Sequence, residues 1–485
     1  MKLLRTFAFA AAVLGAALGT AGAQSWQPLT HQPSFTAGHA LLLTDGTVMV
    51  HREDPNHGFS QWYKLTPDIN GSYVNGTWSQ LASLSSDYGP LFFASAVLAD
   101  GKVIIEGGEQ NFAQYVWTTK GAFYDPIANT WTSVNPPSGW SSIGDASGIV
   151  LFNKTFMLAN CCTRQAALFN ESTLTWTPTG TGKADSNDEE GWVLLPNGKV
   201  LAVDAYVDLG GPGTNSELYD PTSGSWSSAG STVVQLWDSN GSNEEGPGVL
   251  RPDGTVFWTG ANGSGAGHTS VYHVNAQTWT PGPDFPGNLD VADGPAAVLP
   301  DGNVLVSASP GIFLNGTEFF EWNGSSLNQV PATPNSPINS SWYGRMLVLP
   351  TGQVLYTDGS ADVEIYTPTG NPYPGIAPSA LINTVVIGRG SSIALSGYKF
   401  NGASQANYYG DDAQAATNYP LVRITNVGTG HVFYCRTHDH STMAVGYNGP
   451  AFTHVEIPSN METGQSYLEV VVNGIPSPRY AIGIR

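Results

Sequence analysis

Residues 188–201 read DEEGWVLLPNGKVL, and residues 243–257 read NEEGPGVLRPDGTVF. Each sets an acidic pair and a glycine before an apolar run, a Pro-Asn/Asp-Gly turn and a second apolar run. Two β-prone runs across a Gly-containing tight turn of two residues predict a hairpin of antiparallel strands. The pattern returns as GHALLLTDGTVMV from Gly38, FASAVLADGKVII from Phe93, GIVLFNKTFML from Gly148, GPAAVLPDGNVLV from Gly294 and YGRMLVLPTGQVLY from Tyr343. The seven turns start at Asp45, Asp100, Asn153, Asn197, Asp253, Asp301 and Thr351, spaced 44 to 56 residues apart.

A second motif follows most hairpins: AFYDPIANTWT, ALFNESTLTWT, ELYDPTSGSWS and VYHVNAQTWT, with Trp131, Trp176, Trp226 and Trp279 next to last. It adds a third strand, a turn and a fourth strand opened by tryptophan. Four antiparallel strands per period make one blade of a kelch-type β-propeller, and seven periods predict seven blades over residues 24–368. The last period reaches ADVEIYTP and then breaks, so Ser25-Trp26-Gln27 is expected to supply its missing strand and close the ring. The tryptophans read as packing between blades. After a Pro/Gly-rich linker at 369–378 the period stops. Residues 379–485 carry short alternating runs such as SSIALSGYKF and SYLEVVVNG, which predict a small immunoglobulin-like sandwich.

The first residues, MKLLRTFAFAAAVLGAALGTAGAQ, combine Lys2 and Arg5 with a short apolar run and small residues at 21–23. That is the pattern of a signal peptide over residues 1–23, so the mature chain is expected to be secreted, extracellular or periplasmic. With 18 basic and 38 acidic side chains the formal charge is -20. Such a surface repels nucleic acid and anionic membranes, and no segment is long and apolar enough for membrane insertion. A monomer is the expected state. Three cysteines offer no disulfide framework; a bond between adjacent Cys161 and Cys162 is the alternative, and buried free thiols are the expectation for them and for Cys435. No GxSxG, P-loop, HExxH or dinucleotide fingerprint is present, so no nucleotide cofactor is expected.

The repeats, their order and a tail of the form LEVVVNGIPSPRYAI at 468–482 resemble the galactose oxidase and glyoxal oxidase family. These are secreted copper radical oxidases built as a kelch propeller followed by an early-set domain. The resemblance implies copper held by two tyrosines and two histidines, one tyrosine being cross-linked to a cysteine. Here the position of the first tyrosine, eight before a turn, is Phe92. The Tyr-His pair falls on Trp342-Tyr343, and neither Cys161 nor Cys162 stands where the cross-linking cysteine belongs. Only Thr437-His438, in CRTHDHST, matches the family's C-terminal Thr-His.

The residues eight before the seven turns are Ala37, Phe92, Asp145, Glu189, Glu245, Asp293 and Tyr343. Equivalent positions on innermost strands form a ring, so four neighbouring carboxylates predict an acidic crescent at one mouth of the channel. Like charges facing one cavity raise each other's pKa or draw in a cation. Ca²⁺ or Mn²⁺ suits carboxylates, and His438 and His440, if they enter the channel, would shift the preference towards Mn, Fe, Zn or Cu. The metal ligands expected are therefore Asp145, Glu189, Glu245, Asp293, His438 and His440. The glycine stands six before the turn after Glu190 but seven before it after Glu245 and Asp293, so Glu190 is the alternative inward residue. Two other readings stay open: acids that cap loops at a wet mouth, and a general acid and base acting on a glycan. Trp192, Trp342 and Tyr343 are expected as aromatic platforms for a glycan or another extracellular ligand. The competing reading is a metal-dependent oxidoreductase acting on an alcohol, aldehyde or sugar.

Overall fold

The computed structural model describes residues 24–205, 213–383, 385–405 and 417–485. The signal-peptide reading of 1–23 lies outside the described residues. Seven four-stranded antiparallel sheets account for most of the chain before residue 368. Their innermost strands are Ala37–Leu42, Ala94–Val97, Gly148–Val150, Trp192–Leu194, Gly248–Leu250, Ala296–Val298 and Arg345–Val348. Each neighbours the next, and the seventh neighbours the first, which closes a ring. These strands are buried on both faces. That is why they read as unbroken apolar runs rather than as alternation.

The hairpin turns are one residue longer than a two-residue loop. In the first blade the Gly46 N–H donates to Leu43 C=O (2.9 Å) and Leu43 N–H to Thr47 C=O (2.8 Å). Gly46 takes φ +78°. A type I turn followed by a left-handed residue explains the glycine found there in six of the seven blades, since that conformation costs other residues energy. Asp45 Oδ1 accepts from the Thr47 N–H at 3.0 Å and so caps the turn.

Ser25–Pro28 pairs antiparallel with Glu364–Thr367 and completes the seventh sheet, as the broken period requires. The outer-strand tryptophans reach back to the preceding blade. Trp131 Nε1 donates to Ala82 C=O and Trp176 Nε1 to Asn135 C=O, both at 2.9 Å, and Trp26 Nε1 to Pro331 C=O at 2.6 Å. Trp26 also packs on Phe319 of the sixth blade with ring centroids 4.9 Å apart. Each of these three indoles thus buries apolar area while its one donor is satisfied.

Ser379–Leu381, Ser392–Tyr398, Leu421–Asn426, Val432–His438, Pro450–Glu456, Gly464–Val472 and Tyr480–Ile484 belong to a separate sheet system. Its own core holds Leu395, Val422, Cys435, Val455, Leu468 and Ile482. It docks on the turn end of the propeller: Thr437 N–H donates to Thr44 C=O, His440 N–H to Ala99 C=O and Met443 N–H to Phe152 C=O. Gln405 bridges to Leu250 and accepts from the Leu194 N–H, which wedges it between the fourth and fifth blades. One mouth of the propeller is therefore covered. Cys435 is a buried free thiol, whereas Cys161 and Cys162 are joined in a disulfide across adjacent residues, against the expectation of free thiols.

Candidate functional site

At the opposite end, where the innermost strands begin, lies a cavity of about 320 Å³. Five carboxylates line it: Glu109, Asp145, Glu189, Glu244 and Asp293. Phe92, Tyr115, Phe313 and Trp342 form its aromatic wall. Phe92, Glu189 and Asp293 take φ of 55°, 56° and 52°. The chain bends sharply as it enters the innermost strand, and these side chains are held at the mouth. A left-handed backbone at a bulky residue persists only where the surroundings enforce it.

The acidic crescent is real, but its membership differs from the sequence expectation. Asp145, Glu189 and Asp293 are where they were placed. Glu245 is not: it is buried, and its Oε1 accepts from the Gly191 N–H of the neighbouring blade at 3.0 Å. Glu244 lines the cavity instead. In this blade the left-handed residue is Asn243 (φ 63°), two places earlier than at Phe92, Glu189 and Asp293, so the side chain eight before the turn no longer faces the cavity. Of the fourth blade's pair, Glu189 faces the cavity, while Glu190 turns inward to a buried ion pair with Lys183 (2.9 Å). In both acidic pairs the first residue serves the mouth and the second the wall.

Carboxylate oxygens of Glu189, Glu244 and Asp293 lie within 4.8 Å of one another, and so do those of Asp145, Asp188 and Glu189. Glu189 is common to both groups. Burial, followed by the charges of Asp293 and Glu189, pushes the Glu244 carboxyl well above its usual range. Burial, followed by the charges of Asp145 and Asp293, raises Glu109 to about 7. Sharing a proton or binding a cation are the two ways such a cluster lowers its repulsion.

His438 and His440 do not join it. The His440 N–H is bonded to Ala99, at the far end of the second blade's innermost strand, whereas Phe92 lines the cavity at the near end. Seven residues of strand span about 20 Å. Metal–ligand bonds of about 2.0–2.6 Å cannot bridge that gap. The His440 ring is buried, accepts or donates one hydrogen bond with Thr453 Oγ1 (2.9 Å), and burial lowers its pKa to about 3. It is a neutral core imidazole.

Trp192 is also displaced from its expected role. It is fully buried and packs on Trp226 with centroids 5.8 Å apart, because its strand position faces the space between blades. Trp342 does line the cavity, and Tyr343 stands edge-on behind it at 4.4 Å. Glu109 and Tyr115 were missed because they belong to no repeat. They sit beside and in a small sheet of Pro90–Leu91, Gln110–Asn111 and Gln114–Tyr115, inserted within the second blade. The long gap between VIIE and GAFYD was the available signal.

A β-propeller with a carboxylate-lined axial cavity and a C-terminal β-sheet cap is the class of protein that fold and site define. No family model matches the sequence, and no curated protein matches it. Among solved structures, the chain has the galactose-oxidase-like fold of a fungal alcohol oxidase of the AA5 family in complex with copper, at TM-score 0.53 and 15% identity over 96% of this chain and 100% of that one. A streptogramin B lyase aligns at TM-score 0.47 and 8% identity over 71% of this chain and 97% of that one. The copper-radical ligand set does not fit this cavity. Phe92 and Trp342 offer no phenolate or imidazole, Cys161 and Cys162 are bonded to each other, and His438 lies at the other end of the propeller. Among the described residues no helix is long and apolar enough to cross a membrane.

Proposed function

We propose that this is a secreted binding protein. In this reading the axial cavity holds a hard divalent cation, Ca²⁺ or Mn²⁺, on the carboxylates around Glu189 and presents it to a glycan or another extracellular ligand. The observation that carries the proposal is the position of Glu189 in two groups of closely spaced carboxylates that share one cavity with an aromatic wall. All-oxygen ligand sets favour these ions. Faces of Phe92, Tyr115, Phe313 and Trp342 suit the apolar face of a sugar ring, while a bound cation would take its hydroxyl groups.

Calorimetric titration of metal-stripped protein with Ca²⁺ and Mn²⁺, followed by a glycan array with and without chelator, tests this. Stoichiometric cation binding and chelator-sensitive glycan capture are expected. Protein that takes up neither ion would overturn the proposal. The oxidoreductase alternative predicts peroxide formation from alcohols or aldehydes in the metal-loaded protein. It has less support, because the positions that hold copper in the resembled family carry Phe92 and Trp342.

A further inference from the structure

A second cluster lies apart from the cavity, on the C-terminal sheet, and mixes imidazoles with carboxylates. Strands Val432–His438 and Pro450–Glu456 run antiparallel, with His438 directly opposite His454. Directly opposed side chains share one face of a sheet, and Glu456, two residues beyond His454, shares it too. The two rings stack with centroids 5.5 Å apart and planes 23° apart. Asp439 follows His438, and its Oδ2 lies 2.8 Å from His438 Nδ1 and 3.8 Å from His454 Nδ1. The three ligand atoms are all within 4.8 Å of one another.

We propose that His438, His454 and Asp439 form a binding site for a borderline divalent cation of the zinc class, separate from the axial cavity. Tetrahedral zinc with bonds of about 2.0–2.1 Å sets its ligand atoms about 3.3 Å apart. The two distances from Asp439 Oδ2, 2.8 and 3.8 Å, lie on either side of that value. His454 Nδ1 is buried and makes no hydrogen bond, so no partner has to be given up when it ligates an ion. The other nitrogen of His438, Nε2, is 2.9 Å from Glu456 Oε1. A carboxylate behind a metal-ligating imidazole fixes its tautomer and raises its basicity; Nδ1, which now contacts Asp439 Oδ2 at 2.8 Å, would exchange that hydrogen bond for the ion that both groups share. Three protein ligands leave a further position open for water or for a ligand group. The site does not depend on the cavity reading, since nitrogen ligands select zinc or cobalt and the cavity offers only oxygen.

The full chain, stripped of metal and held in excess Ca²⁺ to occupy the cavity, is titrated with Co²⁺ as the spectroscopic probe. One equivalent is expected to give the visible ligand-field bands of a low-coordinate nitrogen and oxygen site, displaced by Zn²⁺. His454→Ala should abolish the bands, and Glu456→Gln should weaken cobalt binding by about 10- to 100-fold. Asp439→Asn, at an exposed side chain, should also weaken it strongly. Glu244→Gln should leave the signal unchanged. The proposal fails if the wild-type chain shows no stoichiometric cobalt site. It also fails if Asp439→Asn and Glu456→Gln bind as wild type, or if Glu244→Gln removes the bands.

Discussion

Lys183→Ala is expected to destabilise the propeller by about 3–5 kcal/mol, the cost of removing one partner from a buried ion pair. Lys183 Nζ lies 2.9 Å from Glu190 Oε1, 2.6 Å from Glu217 Oε2 and 3.4 Å from Asp204 Oδ1, with all four side chains buried. It also sits 5.0 Å from the Trp226 ring centre. Burial opposes its charge, but the carboxylates outweigh burial and hold the ammonium above its usual pKa. Burial pushes Glu190 well above the carboxylate range and raises Glu217 as well, despite the lysine. Without Lys183 the three acids keep each other's company with no counter-charge. The folded state then binds protons that the unfolded chain releases above about pH 4.5, so stability falls as pH rises from that value. Urea melts at pH 5 and pH 8 check this. The deficit should be larger at pH 8, and a loss below about 1 kcal/mol at both would refute the account.

Glu189→Gln is expected to weaken Ca²⁺ binding at the cavity by on the order of 100-fold, because one substitution removes a charged ligand shared by both carboxylate groups. Glu109→Gln should cost less, since Glu109 belongs to neither. In the wild-type chain, affinity should rise between pH 6 and 8, as Glu109 gives up the proton that burial and the nearby charges of Asp145 and Asp293 hold to about pH 7. A cation takes that proton's place, so calorimetry in buffers of different ionisation enthalpy should register proton release on binding. In the absence of cation the sign for stability is the opposite. The raised carboxyl keeps its proton in the folded state, and stability contributed by Glu109 declines as pH climbs from about 4.5 to 7. An affinity that is flat across this range would sink the assignment of Glu109 to the cation environment.

The sheets were legible because their causes are local. A turn with a glycine at its left-handed position, flanked by runs buried on both faces, cannot easily be spelled another way, and seven copies leave little freedom. Even the copy without glycine fits: Lys154 takes φ +78° at the same place. The mouth was half legible. A carboxylate before each of four strands marked the right end of the right strands, but in the fifth blade the left-handed bend falls at Asn243, two places early, and the cavity residue is Glu244 rather than Glu245. Burial direction was beyond the pattern, so Trp192 went to the wall rather than the opening. The histidine pair failed for a different reason. Which mouth the C-terminal sheet covers depends on long-range docking to Thr44, Ala99 and Phe152, and spacing along the chain carries no record of it.

The pairing of Ser25–Pro28 with Glu364–Thr367 makes the propeller a clasped bracelet rather than a stack. Closing a loop of that length costs about 5 kcal/mol of chain entropy, which the clasp meets once, when the last blade forms. Thereafter the two ends of the ring are stitched into one sheet. A single cut in any exposed loop between them would sever the chain without opening the circle.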